Sequence, residues 1–245
     1  MSHNQTMAIA SGKGGVGKTW FAITLAHALS GLGRRVLLFD ADLGLANVDI
    51  QLGLTPRLDL SSVISGRASI ADASLHHADG GFAIVAGRSG SGTLSALNAA
   101  ALERLLAALA VEATRYDMVL LDLGAGLEPA VRRMAAWADR LLVLATEEPT
   151  SLTDAYAVLK LHATDRPHGD ARVVVNQAST RAAGERTFAT LERACQSFLG
   201  SAPALAGIIR RDERVRDAIR RQTLLLSRHP NAPAATDVEA IARLL

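Results

Sequence analysis

Residues 12–19 read GKGGVGKT, and Gly12, Gly17, Lys18 and Thr19 fit the spacing G-x-x-x-x-G-K-[ST]. Such a stretch can curl so that successive backbone N–H groups converge on one phosphate, with the positive end of a following helix behind them. Gly12, Gly14, Gly15, Val16 and Gly17 then supply the cradle. Lys18 neutralises the outer phosphates of a nucleotide, and the Thr19 hydroxyl completes a magnesium shell. A glycine-rich turn that holds nothing has the same composition; an apolar run before the motif and a helical pattern after it favour the phosphate site. Lys13 is a second cation that the cradle itself does not require.

Acidic residues complete the constellation. Asp40 ends the apolar run RVLLFD (35–40), Asp122 ends MVLLD (118–122), and Asp42 lies on the loop beyond Asp40. A magnesium-bound phosphate chain needs carboxylates to hold the metal's water shell, which suits Asp40 and Asp122, and a polar group to orient an attacking water, which suits Asp42. Each aspartate alone could equally cap a helix or form a turn.

The elements that must position these groups alternate along the chain. Runs at 7–11, 35–40, 82–87, 118–122, 140–146, 171–176 and 204–209 are too continuously apolar to have a wet face. Segments such as 94–115 and 151–164 carry Leu and Ala at helical spacing. The expected fold is α/β, a doubly wound and mainly parallel sheet flanked by helices, in one domain covering 1–245. Ligands in such sheets bind beyond the carboxyl ends of the strands, where Asp40, Asp122 and Asn176 fall. The stretch GRSGSGT (87–93) reads as a connection inside that domain.

Composition excludes some classes. With 26 Lys and Arg against 24 Asp and Glu, a formal charge of +2 gives little pull on a polyanion. The single cysteine, Cys195, rules out a disulfide framework within the chain and reads as a buried apolar group. No basic leader and no bilayer-length apolar run is present, so the chain is expected in the cytoplasm. His76 and His77 read as an exposed turn with no further metal ligands beside them, and Trp137 as packing a helix on the sheet. Arginines from 210 to 228 alternate with Asp212, Glu213 and Asp217, which reads as a solvated helix face laced with ion pairs rather than a DNA-binding surface; if helical, Arg210, Arg214 and Arg221 share a face. At the end, Thr236 with Glu239 has capping-box spacing, and Val238, Ile241, Leu244 and Leu245 form an apolar face expected to pack on the domain.

KGGVGKT at 13–19 resembles the deviant P-loop of the MinD/ParA group of ATPases, whose first lysine is its signature. The stretches DADLGLANVDIQLGL (40–54), SSVISGRASI (61–70), EPTSLTDAYAVLK (148–160) and VVVNQAS (173–179) are similar to its flagellar FlhG/FleN/YlxH branch. This resemblance implies an ATP- and magnesium-dependent homodimer that hydrolyses ATP slowly, sandwiches two nucleotides and sets flagellar number and placement. It implies that Lys13 reaches the partner's phosphates and, with Lys18 and Asp42, serves hydrolysis. Thr19, Asp40 and Asp122 then attend the metal, and Asn176 the adenine. Implied partners are the flagellar GTPase FlhF, flagellar switch proteins or a flagellar transcription activator. Membrane association is the family trait that the short ending, with Arg243 its only cation, supports least.

The chain departs from the branch in four ways. Trp20 stands where a small or polar residue is usual, Arg210 and Glu147 stand where prolines are usual, and only six residues precede the first expected strand, too few for an FlhF-stimulating segment. A division-site or partition ATPase, or a P-loop ligase of the cobyrinate or dethiobiotin type, remains an alternative.

Overall fold

A computed structural model describes residues 5–42, 44–87 and 98–245. The described strands are β1 (Gln5–Ser11), β2 (Val36–Ala41), β3 (Ser74–His77), β4 (Phe82–Val85), β5 (Met118–Ala125), β6 (Arg140–Ala145), β7 (Asp170–Ala178) and β8 (Ala204–Arg210), all but β3 built on the expected apolar runs. They join one sheet in the order β3-β4-β2-β5-β1-β6-β7-β8, and among these pairs β3 with β4 is the antiparallel one. All six residues of β2 are buried, as a strand with helices on both faces must be.

Alternate residues of the strands other than β3 feed two cores. On one face Leu38 joins Trp20, Phe21, Leu25 and Leu29 of the helix Lys18–Gly31, together with Val238 and Ile241 of the helix Pro233–Leu244. On the other, Leu37 and Phe39 meet Leu102, Leu105, Leu106 and Leu109 of the helix Ala99–Ala113, with Cys195 also in this core and Trp137 packed against it. Within the expected 94–115 stretch the described helix is Ala99–Ala113, and the side-chain Oδ1 of Asn98 caps it by accepting from Ala101 N at 2.8 Å. Residues 88–97, which include most of the GRSGSGT connection, lie outside the described residues.

Three expectations need correction. His76 and His77 belong to the edge strand β3, paired with Ala83 and Phe82, and His77 stacks on Phe82 at 5.4 Å between ring centroids. Arg210 closes β8 and is not on the arginine-rich helix, Glu213–Arg220. The last helix begins at Pro233, whose fixed φ suits a first turn, so Thr236 lies inside it and donates to Ala232 O; Leu244 on its expected apolar face is 72% exposed. Several of the other arginines do pair with interleaved acids: Arg221 and Arg228 engage Asp217, which His229 also meets, and Arg216 lies beside Glu213.

Candidate nucleotide site

Residues 12–17 form the turn between β1 and the helix Lys18–Gly31, as the spacing predicts. Gly17 caps that helix at φ 91, a conformation that strains any residue with a side chain, and a Cβ there would meet Asn176 Nδ2 at 2.6 Å. Gly12 is required for a different reason. A Cβ at this position would lie 2.6 Å from the Asp154 carbonyl oxygen, because the helix Pro149–Asp165 abuts the loop.

The two lysines occupy opposite environments. Lys18 is 9% exposed, and its Nζ donates to Ser11 Oγ at 3.0 Å; that hydroxyl in turn donates to Lys13 O at 2.7 Å. Burial lowers its pKa, while Asp122 and then Asp42 oppose the shift. Lys13 points outward, its side chain 42% exposed, and donates to Glu148 Oε2 at 2.8 Å and Thr150 Oγ1 at 3.2 Å. The Glu148 hydrogen bond and charge raise its pKa.

Strand register brings the acids together. Asp40 pairs with Asp122 between β2 and β5, so two fully buried carboxyls lie side by side on one face. Asp40 accepts from Asp42 N at 3.3 Å and Val48 N at 3.2 Å. Both oxygens of Asp122 are buried without a hydrogen-bond partner; the Thr19 hydroxyl is near enough to favour its charged form without completing a bond. Burial pushes Asp40 well above the carboxylate range, with the Asp122 charge adding to the effect, and pushes Asp122 up to about 7. Asp42 is half-buried on the loop beyond, its Oδ1 accepting from Gly44 N at 3.1 Å and Leu45 N at 2.9 Å. Among the described residues, no three His, Cys, Asp or Glu side chains converge on a ready-made metal centre. A hard cation here therefore needs phosphate oxygens beside one or two carboxylates, as magnesium with a nucleotide does.

Two cavities meet over the loop. One of about 600 Å³ is lined by Gly14, Lys18, Thr19, Asp42, Asn47 and Glu128, among others; the other, of about 290 Å³, by Asn176, Gln177 and residues 209–213. Asn176 is 3% exposed, donates to Val16 O at 2.8 Å and accepts from Gln177 N at 2.9 Å, so much of its amide is committed to bracing the loop. Arg210 is also committed: its backbone N donates to Asp237 Oδ2 at 3.0 Å, its Nε to the same oxygen at 2.9 Å and its second guanidinium arm to Oδ1 at 2.9 Å. Glu147 accepts from Ser179 N at 2.7 Å and Ser179 Oγ at 3.0 Å, tying together the loops after β6 and β7. Ser11, Asn47 and Glu128 border this site without belonging to the motif. Of these, Ser11 is marked only by ending an apolar run.

The Asp122 carboxyl gives a pH dependence. Between its ordinary value of 3.8 and about 7, the folded chain keeps a proton that the unfolded chain has lost. Ligand-free stability therefore falls as pH rises through that window. Thermal melts at about pH 5 and about pH 7.5 should show the lower midpoint at the higher pH, with a smaller difference for Asp122→Asn. Equal differences in the two proteins would place the titrating group elsewhere.

Residues 7–225 match the model of the CobQ/CobB/MinD/ParA nucleotide binding domain. The antiactivator FleN of Pseudomonas aeruginosa is 39% identical over 241 residues, covering 98% of this chain and 85% of FleN. The flagellum site-determining protein YlxH of Helicobacter pylori is 27% identical over 241 residues, 98% of this chain and 81% of YlxH. The septum site-determining protein MinD of Pyrococcus horikoshii, solved in complex with Mg-ADP, superposes with a TM-score of 0.82 at 22% identity, over 99% of this chain and 96% of that one.

Proposed function

Because this chain belongs to the CobQ/CobB/MinD/ParA nucleotide-binding family, we propose that it is a regulatory ATPase that dimerises when ATP is bound and hydrolyses that ATP slowly. The contrast between its two loop lysines carries the reading. A buried Lys18 faces the site from within, and an exposed Lys13 points out of it, held by contacts that solvent and partners can exchange. A cation that enters the site only on assembly couples hydrolysis to dimerisation.

The residues present fit a magnesium nucleotide: Asp122 offers two unpartnered oxygens, and Gly15 and Gly17 leave room for a phosphate over the loop. Thr19, Asp40 and Asp122 would hold magnesium, which when bound neutralises charge developing on the phosphates. Gly12 through Thr19 grip the phosphate chain, Asp42 orients the attacking water, and Asn176 stands beside the base. The likeness to FleN and YlxH supports control of flagellar number and placement as the biological role, which we place in the cytoplasm. Its partners would be those the resemblance implies, a flagellar transcription activator, the flagellar GTPase or switch proteins; an activator partner agrees with the name of the antiactivator relative. No described helix is long and apolar enough to cross a membrane.

Calorimetry should show ATP with magnesium binding more tightly than GTP, because VNQAS (175–179) lacks the aspartate that accepts guanine N–H groups. Light scattering should then report a mass near twice that of the chain with ATP and near the single chain with ADP. Tighter GTP binding, or one mass in both nucleotides, would sink the reading.

A further inference from the structure

We propose that Trp20 is a nucleotide contact, with its indole forming the platform over which the ribose and near edge of the base pass between the two cavities. The inference rests on the nucleotide reading above and names a residue outside the phosphate motif. Gly15, Gly17, Trp20 and Ile219 line both cavities and so form the boundary between them. The two glycines offer only backbone, whereas Trp20 brings the one aromatic surface of that boundary. It follows Thr19 directly in the first turn of the helix Lys18–Gly31, next to where the phosphate chain must end and the sugar begin.

Two further observations point the same way. The Trp20 indole N–H is buried and has no hydrogen-bond partner, although the side chain is only 6% exposed. An unmet donor of this kind is costly in a finished core, and a turn of the ring would offer it to a ribose or phosphate oxygen. Across the base-side cavity, Gln177 holds φ 57, a left-handed conformation that non-glycine residues adopt at a cost and that gathers at ligand-binding sites. A planar purine suits the space between an indole and such a wall, since offset stacking adds to apolar burial.

Trp137 is the only other tryptophan, so a Trp137→Phe chain makes Trp20 the sole indole emitter. Saturating ADP should change that emission, while inorganic tripolyphosphate, which fills the phosphate cavity alone, should change it far less. Calorimetry of Trp20→Phe, with folding checked by circular dichroism, should show ADP weakened about three- to tenfold and tripolyphosphate unchanged. Unchanged emission with ADP demonstrably bound would overturn the proposal, and this measurement does not depend on the variant folding. Equal weakening of ADP and tripolyphosphate would also overturn it, by making Trp20 a support of the loop. Failure of the parent chain to bind ADP at all would overturn the nucleotide reading along with it.

Discussion

Lys13→Ala should bind ADP almost as tightly as the parent chain and yet lose ATP-driven association and turnover together, the latter by about a thousandfold or more. Lys18 and the loop amides remain in that variant, and the Lys13 ammonium lies outside them on Glu148 and Thr150. Lys18→Ala should instead lose nucleotide outright, because it removes the buried cation that faces the phosphate cavity. Mixing the two variants separates action across a dimer from action within one chain. A heterodimer has one competent pocket: that of the Lys13→Ala chain, served by Lys13 of the Lys18→Ala chain. Measurable turnover in the mixture supports the exchange. No rescue in a demonstrated heterodimer counts against it, and ATP-dependent dimers of Lys13→Ala alone reject it.

Asp42→Ala should keep ATP affinity near that of the parent and lose turnover by about a hundredfold or more, the scale of a misplaced proton or water acceptor. Its Oδ1 also accepts from Gly44 N and Leu45 N, so alanine loosens the loop as well as removing the charge. Asp42→Asn retains an acceptor oxygen and separates the two effects: turnover should fall in both variants, while the loop keeps its shape only in the asparagine form. With ATP, light scattering should then show a dimer that persists instead of decaying. An unchanged hydrolysis rate would move the water-orienting role to another cavity-lining group, with Asn47 and Glu128 next in line.

Seven of the eight strands among the described residues, and the phosphate loop, are readable in the chain because their signals are local: continuous apolar runs, and glycines at fixed offsets from Lys18 and Thr19. β3 is not, since SLHH is four residues with no alternation and its pairing with β4 is a tertiary fact. The arginine at 210 reads only as a departure from the usual proline until Asp237, 27 residues on, is seen to take its charge. The same holds for Glu147, whose partner Ser179 lies on another loop. Asn176 is readable as a polar strand end, but its grip on the Val16 carbonyl depends on β7 and the phosphate loop being folded together.

The two outer strands bear on how this molecule aggregates. Open parallel sheets invite growth, because an unpaired edge is a template for another chain. Here one edge is the four-residue β3, turned against the direction of its neighbour, and the other is β8, whose register with β7 shifts twice. Short, reversed or irregular borders make poor seeds for fibrils. Concentrated solutions should therefore resist edge-to-edge polymerisation, leaving the loop face, across which the proposed dimer would close, as the favoured route by which copies meet.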